Sequence, residues 1–403
     1  MKKATLFYSA LLLLIANANG QLKVMQSKDQ PVTLKPNNTL ASRKMPDQFV
    51  QPGAFAGTTP VIPAPADPLK NNVSLFRNTA PNAYSDDPNT KYICLDVMKE
   101  GKDRLLVFTP RNINSQVKIG RNNAGAIGQM GSYSIHSDLK YTDELLTGNF
   151  SEEWGASVVV VDRRSNQFWR YRHDPTSGIQ FVNPYGMLVN WAPADRYLSG
   201  DFNGDGKTDL LGWNHASNQF QVALYAKSAT PGMPPIFSPA GVWLFGWAQA
   251  NDMNIVTGDF NGDRKDDIAL VHQPTGEWRV ALSTGTAFQG STGYSAGVWL
   301  KPWAVGTHHK IAALDVNNDG KCDLVEYNYH DKSFQAVLSN GQYFDYSFKR
   351  EYIGNTITAL KQQVAIGKFE GNCMVVVSHE LPPDANYLHP RPTASVYITS
   401  YRR

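Results

Sequence analysis

The sequence predicts an all-β fold, a β-propeller of six four-stranded blades with seven left open, on three observations. An aspartate-rich phrase returns at a near-constant interval, an aromatic residue returns at a fixed distance behind it, and each repeat has room for four strand-like runs. Four strands in a unit of ~50 residues match a propeller blade better than a helical repeat.

The phrase is fullest as Gly200-Asp201-Phe202-Asn203-Gly204-Asp205-Gly206-Lys207-Thr208-Asp209. It returns as Gly258-Asp259-Phe260-Asn261-Gly262-Asp263-Arg264-Lys265-Asp266-Asp267 and as Leu314-Asp315-Val316-Asn317-Asn318-Asp319-Gly320-Lys321-Cys322-Asp323. The intervals are 58 and 56 residues, and stepping outward finds worn copies at Gly148-Asn149-Phe150, Gly367-Lys368-Phe369 and Leu95-Asp96-Val97. Counting from the first loop residue, six repeats start near 96, 149, 201, 259, 315 and 368.

The aromatic falls 19 residues after that origin, as Phe168, Phe220, Trp278 and Phe334. A third echo agrees: Gly241-Val242-Trp243-Leu244-Phe245-Gly246-Trp247 returns as Gly297-Val298-Trp299-Leu300-Lys301-Pro302-Trp303, with Gly186 to Trp191 a weaker cousin. Trp191, Trp247 and Trp303 fall near blade edges and are expected to be buried in blade packing, the alternative being a surface that stacks on sugars. The repeat at 259 illustrates the strands, which are expected over Asn254 to Phe260, Asp267 to His272, Glu277 to Leu282 and Gly297 to Leu300. These runs are β-branched and aromatic, divided by Gly, Asn, Asp and Pro, with no sustained 3.6-residue period. The last repeat has room for about three strands, so residues 71–77 are expected to donate the closing fourth.

Ahead of the repeats, residues 1–20 combine Lys2 and Lys3, the apolar run through Leu11 to Ile15, and the small residues Ala16 to Gly20, the layout of a secretory signal peptide. Residues 21–90 read as a linker, since ten of the 24 prolines fall between Pro31 and Pro88. The propeller is assigned to 91–403. No later segment reaches the ~20 apolar residues needed to span a bilayer. Lys+Arg of 38 against Asp+Glu of 35 gives no electrostatic case for a nucleic-acid partner. Three cysteines, Cys94, Cys322 and Cys373, are too few for a disulfide framework and are expected to stay as thiols.

The loop residues carry the chemistry. Asp201, Asn203 and Asp205 place side-chain oxygens at every second residue, Gly206 permits the turn, the Lys207 carbonyl faces inward and Asp209 closes the set. Asp259, Asn261, Asp263, Lys265 and Asp267 repeat this, as do Asp315, Asn317, Asp319, Lys321 and Asp323. Hard oxygens at this spacing suit Ca²⁺, so about three calcium sites are expected, and the worn loops at Asp96, Asn149 and Lys368 are expected to hold none. The third loop also fits the written EF-hand pattern through Glu326, but the other loops carry Gly212 and Leu270 there and their flanks read as strands.

The phrase followed by Leu210-Leu211 resembles the FG-GAP/VCBS repeat of integrin α-chain propellers and many bacterial surface proteins. The resemblance covers roughly residues 91–403 and implies calcium-binding loops between the first two strands of a blade, together with adhesion or ligand recognition. The sequence is therefore expected to encode a secreted, monomeric binding module for an extracellular protein or glycan. It shows no Gly-x-Ser-x-Gly elbow and no His-Glu-x-x-His, and no enzyme activity is expected. The alternative is an extracellular polysaccharide lyase or glycosidase, whose acid and base leave no local motif.

Overall fold

A computed structural model describes residues 14–16, 22–24, 78–79, 90–97, 101, 103–109, 115–123, 126–135, 144–150, 156–171, 185–187, 191, 193–227, 236–248, 254–290, 297–345, 351–352, 362–369, 372–380 and 392–396. All secondary structure among them is β, and no helix is long and apolar enough to cross a membrane. The chain divides into Met1–Ile62 and Pro63–Arg403. In the first unit Leu14–Ala16 pairs antiparallel with Leu22–Val24. Apart from these two strands, Asn78–Thr79 and Thr90, the expected leader and linker, including 71–77, lie outside the described residues.

The second unit is a β-propeller arrangement in which each repeat folds into one antiparallel meander. Four successive blades run from Glu144 to Tyr352. In the repeat starting at 201 the strands are Arg196–Gly200, Asp209–Asn214, Gln219–Ala226 and Ile236–Phe245, paired in that order. The second strand of each blade has the least polar reading because it is covered on both faces: Asp209 to Trp213 and Asp267 to Val271 are buried throughout. The hairpin after it turns through a left-handed residue at a fixed place, Asn166, Asn218, Gly276 or Lys332, and Asn and Gly are the residues that take this conformation most readily.

The expected outer strand at Gly297 to Leu300 is present in part, as Val298–Leu300 pairing with Trp278 and Arg279. A second short strand, Phe288–Gly290, pairs with the other end of the same neighbour, so the blade's outer edge is shared by two segments. Repeat five does likewise with Phe344–Asp345 and Glu351–Tyr352. Repeat three instead keeps one ten-residue strand, Ile236–Phe245, and absorbs the mismatch in register shifts.

Two further sheets flank these blades. Lys91–Leu95, Arg104–Thr109, Ser115–Asn123 and Ala126–Ile135 form one. Gln362–Phe369, Asn372–Glu380 and Pro392–Val396 form the other, whose last place is taken by Asn78–Thr79. Thr79 sits opposite Ser395 and Asn78 opposite Val396, directly after the 71–77 segment.

Packing follows the repeat. Phe168, Phe220, Trp278 and Phe334, the residues 19 beyond each origin, are all within 1% of full burial. Burying each contributes about 1.5–3 kcal/mol. Three of them meet the tryptophan that ends their own repeat: Phe168–Trp191, Phe220–Trp247 and Trp278–Trp303 have ring centroids 6.3, 5.9 and 5.6 Å apart. These tryptophans are core residues and are not available as a stacking platform for sugars.

Candidate functional site

Each intact loop is folded by its own acids. Asp201 Oδ1 accepts the N–H groups of Gly204 and Asp205 at 2.8 and 3.1 Å, and its Oδ2 accepts Gly206 N–H at 2.7 Å. Asn203 Oδ1 accepts Asp205 N–H at 3.0 Å, and Asp205 Oδ1 accepts Lys207 N–H at 2.8 Å. The loop at 259 repeats all five bonds, with Arg264 in place of the turn glycine at φ 69°. The loop at 315 repeats four, from Asp319 to Asp315 and Asn317, Gly320 to Asp315, and Lys321 to Asp319. The alternating oxygens therefore act as acceptors for a turn in which no strand partner is available.

The closing aspartates behave differently. Asp209, Asp267 and Asp323 are fully buried. One oxygen of each accepts the N–H of the second loop residue, Phe202, Phe260 or Val316, at 2.9–3.0 Å. The other accepts an N–H at the end of the third strand, Tyr225, Ser283 or Ser339, at 2.7–2.9 Å. Each closing aspartate thus ties a loop to two strands. Burial, reinforced by the charges of the other two loop aspartates, pushes Asp209 up to about 7, Asp267 to about 8 and Asp323 to about 7. Burial also raises Asp201, with Asp205 adding to it. Asp263 is lowered, because the ammonium of Lys265 and nearby N–H donors outweigh the burial that raises it.

A second device joins neighbouring loops. The residue before each closing position donates its N–H to the first-loop carbonyl of the preceding repeat: Thr208 to Asn149, Asp266 to Asp201, Cys322 to Asp259, and Asp103 to Lys368, at 2.7–3.1 Å. Three of these side chains return the bond, Thr208 Oγ1, Asp266 Oδ2 and Asp103 Oδ2 accepting the N–H of Asn149, Asp201 and Lys368. This clasp explains the glycine that opens the phrase. A Cβ on Gly148, Gly200, Gly258 or Gly367 would lie within 3.0 Å of Thr208, Asp266, Cys322 or Asp103. Burial lifts Asp266 and Asp103 to about 6.

The worn loops reuse the first position. Asn149 Nδ2 donates to the Gly206 carbonyl at 2.8 Å, and Lys368 Nζ donates to Asn318 Oδ1 at 2.7 Å and to the Asp315 carbonyl at 3.2 Å. Asp96 Oδ2 accepts Gly101 N–H at 2.7 Å. Glu326, which completed the EF-hand pattern, lies in the strand Asp323–Asn328 and is bonded to His309 Nδ1 at 2.5 Å. The two side chains are a buried pair.

Do these loops suit a cation? An ionised carboxylate offers about four acceptor sites, so each loop oxygen that accepts one or two N–H groups keeps lone pairs to spare. The donors are hard oxygens, and the closing aspartates, raised chiefly by burial with the neighbouring loop charges adding to it, sit where a cation would favour their ionised form. Among the described residues no three acidic, imidazole or thiol groups stand close enough to hold a metal by themselves. A cation would therefore also need the Asn203, Asn261 and Asn317 oxygens and the carbonyls of Lys207, Lys265 and Lys321. The lysines contribute charge as well: Lys265 and Lys321 set their ammonium groups 2.7 and 3.1 Å from Asp263 and Asp319.

The FG-GAP-like repeat pattern matches residues 201–270 and again 259–326. The chain carries FG-GAP-like repeats. The two matches enclose the first two intact loops and reach through the third. No curated protein matches the sequence. Among solved structures, a chain from work on the recognition of non-reducing terminal N-acetylglucosamine by an Agrocybe aegerita lectin is similar at 13% identity, over 76% of this chain and 79% of that one, with a TM-score of 0.45.

Cys94 and Cys322 are free thiols. The clasp residues Thr208, Asp266 and Asp103 escaped a reading based on loop oxygens because their partners lie one repeat away. The signal that finds them is the column before the closing aspartate, read together with the glycine two places before the phrase's aromatic.

Proposed function

We propose that the chain is an exported, calcium-stabilised binding module, a ring of six blades that presents its loops to an extracellular protein or glycan and performs no chemistry of its own. The observation that carries this reading is the triplicate loop in an FG-GAP-like repeat, in which every recurring acid is engaged in holding strands and turns together. Six blades are supported by the clasp between Asp103 and Lys368, which links the last repeat to the first, and by Asn78–Thr79 as outer strand of the last sheet. Calcium would be held by Asp201, Asn203, Asp205, the Lys207 carbonyl and Asp209, and by their counterparts at 259–267 and 315–323. It supplies positive charge that offsets carboxylate repulsion, while the protein's own N–H groups orient the acids.

Two assays on the secreted chain test this. A glycan array read beside a product-release assay on pooled polysaccharides should show retention without product, and released product would replace the binding reading with a lyase or glycosidase. Elemental analysis of protein equilibrated in 1 mM calcium should find about three ions per chain, and none would remove the metal from the proposal.

A further inference from the structure

The repeat register exposes a second set of residues away from the loops. Five residues before each origin, where the inner strand begins, the sequence places Lys91, Glu144, Arg196, Asn254, Lys310 and Gln363, all polar, in strands whose following residues are mostly apolar. With a rise of ~3.3 Å per residue this level lies ~17 Å along the strand from the acidic loops. Four of the six, Lys91, Glu144, Arg196 and Lys310, line a common cavity of about 490 Å³, together with Tyr197 and Tyr329. It is bounded by inner strands of different repeats, so it lies where they converge.

The charges there do not balance. Glu144, the one carboxylate lining the cavity among the described residues, is already engaged: it pairs with the Arg163 guanidinium and accepts Tyr197 N–H at 3.1 Å. Arg163 itself is held behind Glu144 by the Ala194 and Asp195 carbonyls and lies 4.6 Å over the Tyr197 ring. Neither Lys310 nor Arg196 has a carboxylate or hydrogen-bond acceptor for its side chain among the described residues. Burial, and after it the Arg196 charge, lowers the Lys310 ammonium below the ordinary lysine range. Two cations that face one solvent-open space with no free carboxylate lining it among the described residues repel each other, and an anion between them would remove the repulsion.

We propose that this axial cavity is an anion-binding site, in which Lys310 and Arg196 hold a small oxyanion or the oxyanion group of a larger ligand, with Tyr197 and Tyr329 forming its walls. The planar guanidinium can grip two oxygens at once and the ammonium supplies a point charge, a pair suited to carboxylate, sulfate or phosphate. The site is independent of the acidic loops, which lie at the far ends of the same strands.

Calorimetric titration of the whole secreted chain at low ionic strength tests it, with inorganic phosphate, sulfate, D-glucuronate and neutral D-glucose as probes. Saturable binding of at least one anion and none of glucose is expected. Glucuronate without the inorganic ions assigns a carboxylate ligand, and the reverse assigns a tetrahedral one. Arg196→Gln and Lys310→Gln should each weaken binding at least tenfold, while Lys301→Gln, which removes an exposed cation beside an outer strand, leaves it unchanged. Should a cavity variant fail to fold, the wild-type melting temperature decides: it should rise with the bound anion and not with chloride at equal ionic strength. No saturable anion binding, or binding indifferent to both cavity variants, overturns the site.

Discussion

Repeats three to five and repeats two and six use the first loop position in opposite senses. Where the residue is Asp201 or Asp259, its carboxylate turns into its own loop and collects three N–H groups. Where it is Asn149 or Lys368, its side chain reaches out and donates to the adjoining intact loop. At the closing position the intact loops bury Asp209, Asp267 or Asp323, whereas repeat two buries Ser157. A loop that gathers acids must find positive charge; a loop that has lost them can be fastened by direct bonds to its neighbour. The worn loops are therefore an alternative way of holding a blade, and a metal requirement should stop at their boundary.

The largest effect should come from removing calcium. For extracellular sites with dissociation constants near 10⁻⁴ M in ~1 mM calcium, linkage gives about 1.4 kcal/mol per site and roughly 4 kcal/mol for three. Thermal melts with calcium and with excess chelator should separate clearly, magnesium should restore little, and hydrogen exchange should rise at 201–209, 259–267 and 315–323 before 144–150 or 364–368. Exchange that rises evenly over intact and worn loops would erase the distinction between them.

Next comes the closing position. Asp267→Ala leaves the buried N–H groups of Phe260 and Ser283 without acceptors, at about 1–3 kcal/mol each, so a total near 3 kcal/mol is expected in urea unfolding. The matching change in repeat two, Ser157→Ala, removes a buried hydroxyl that has no hydrogen-bond partner among the described residues and should be neutral within ~0.5 kcal/mol or slightly stabilising. Equal losses at the two sites would mean that the closing residue acts through packing alone.

The blade architecture and all three loops were legible because they are written locally: acids at alternate residues, a closing Asp, and an aromatic 19 residues on that the core buries. What joins one repeat to the next was not. Thr208 reads as a spacer inside the phrase, yet its hydroxyl and N–H are half of a seam whose other half is Asn149, more than one repeat interval away. Glu326 and His309 likewise form a buried pair across two strands, though the local pattern presents Glu326 only as an EF-hand terminus. The split outer edge of repeats four and five was also hidden, since two short segments compete for the same edge and the pattern marks only one.

A smaller effect probes the seam itself. Gly200→Ala would set a Cβ 2.8 Å from the Phe202 ring and 2.9 Å from Asp266 Oδ2. Overpacking of this kind costs about 1–3 kcal/mol, and a value near 2 kcal/mol is expected. If Gly200→Ala is silent, the clasp yields to a side chain and does not account for the glycine.

The smallest expected effect separates two versions of the same clasp by pH. At the seam of repeats two and three the acceptor is Thr208, which does not titrate, with Asn149 N–H at 2.7 Å. At the seam of repeats six and one it is Asp103, with Lys368 N–H at 2.5 Å. Burial raises Asp103 to about 6, the Lys368 N–H bond opposing it and the Asp96 charge adding to it. Because this folded-state value lies above the ordinary 3.8, the folded protein binds the proton more tightly than the unfolded chain. The associated stability is complete below pH ~4 and is lost as pH rises through ~6. Asp103→Asn removes that linkage and should gain on the wild type by about 1 kcal/mol between pH 4.5 and 8, less than the ~3 kcal/mol such a shift would give in a dry site. Paired melts of the two proteins at both pH values measure it, and a difference that stays constant, or that favours the aspartate as pH rises, would show that Asp103 is already charged in the folded seam and that the two clasps are equivalent.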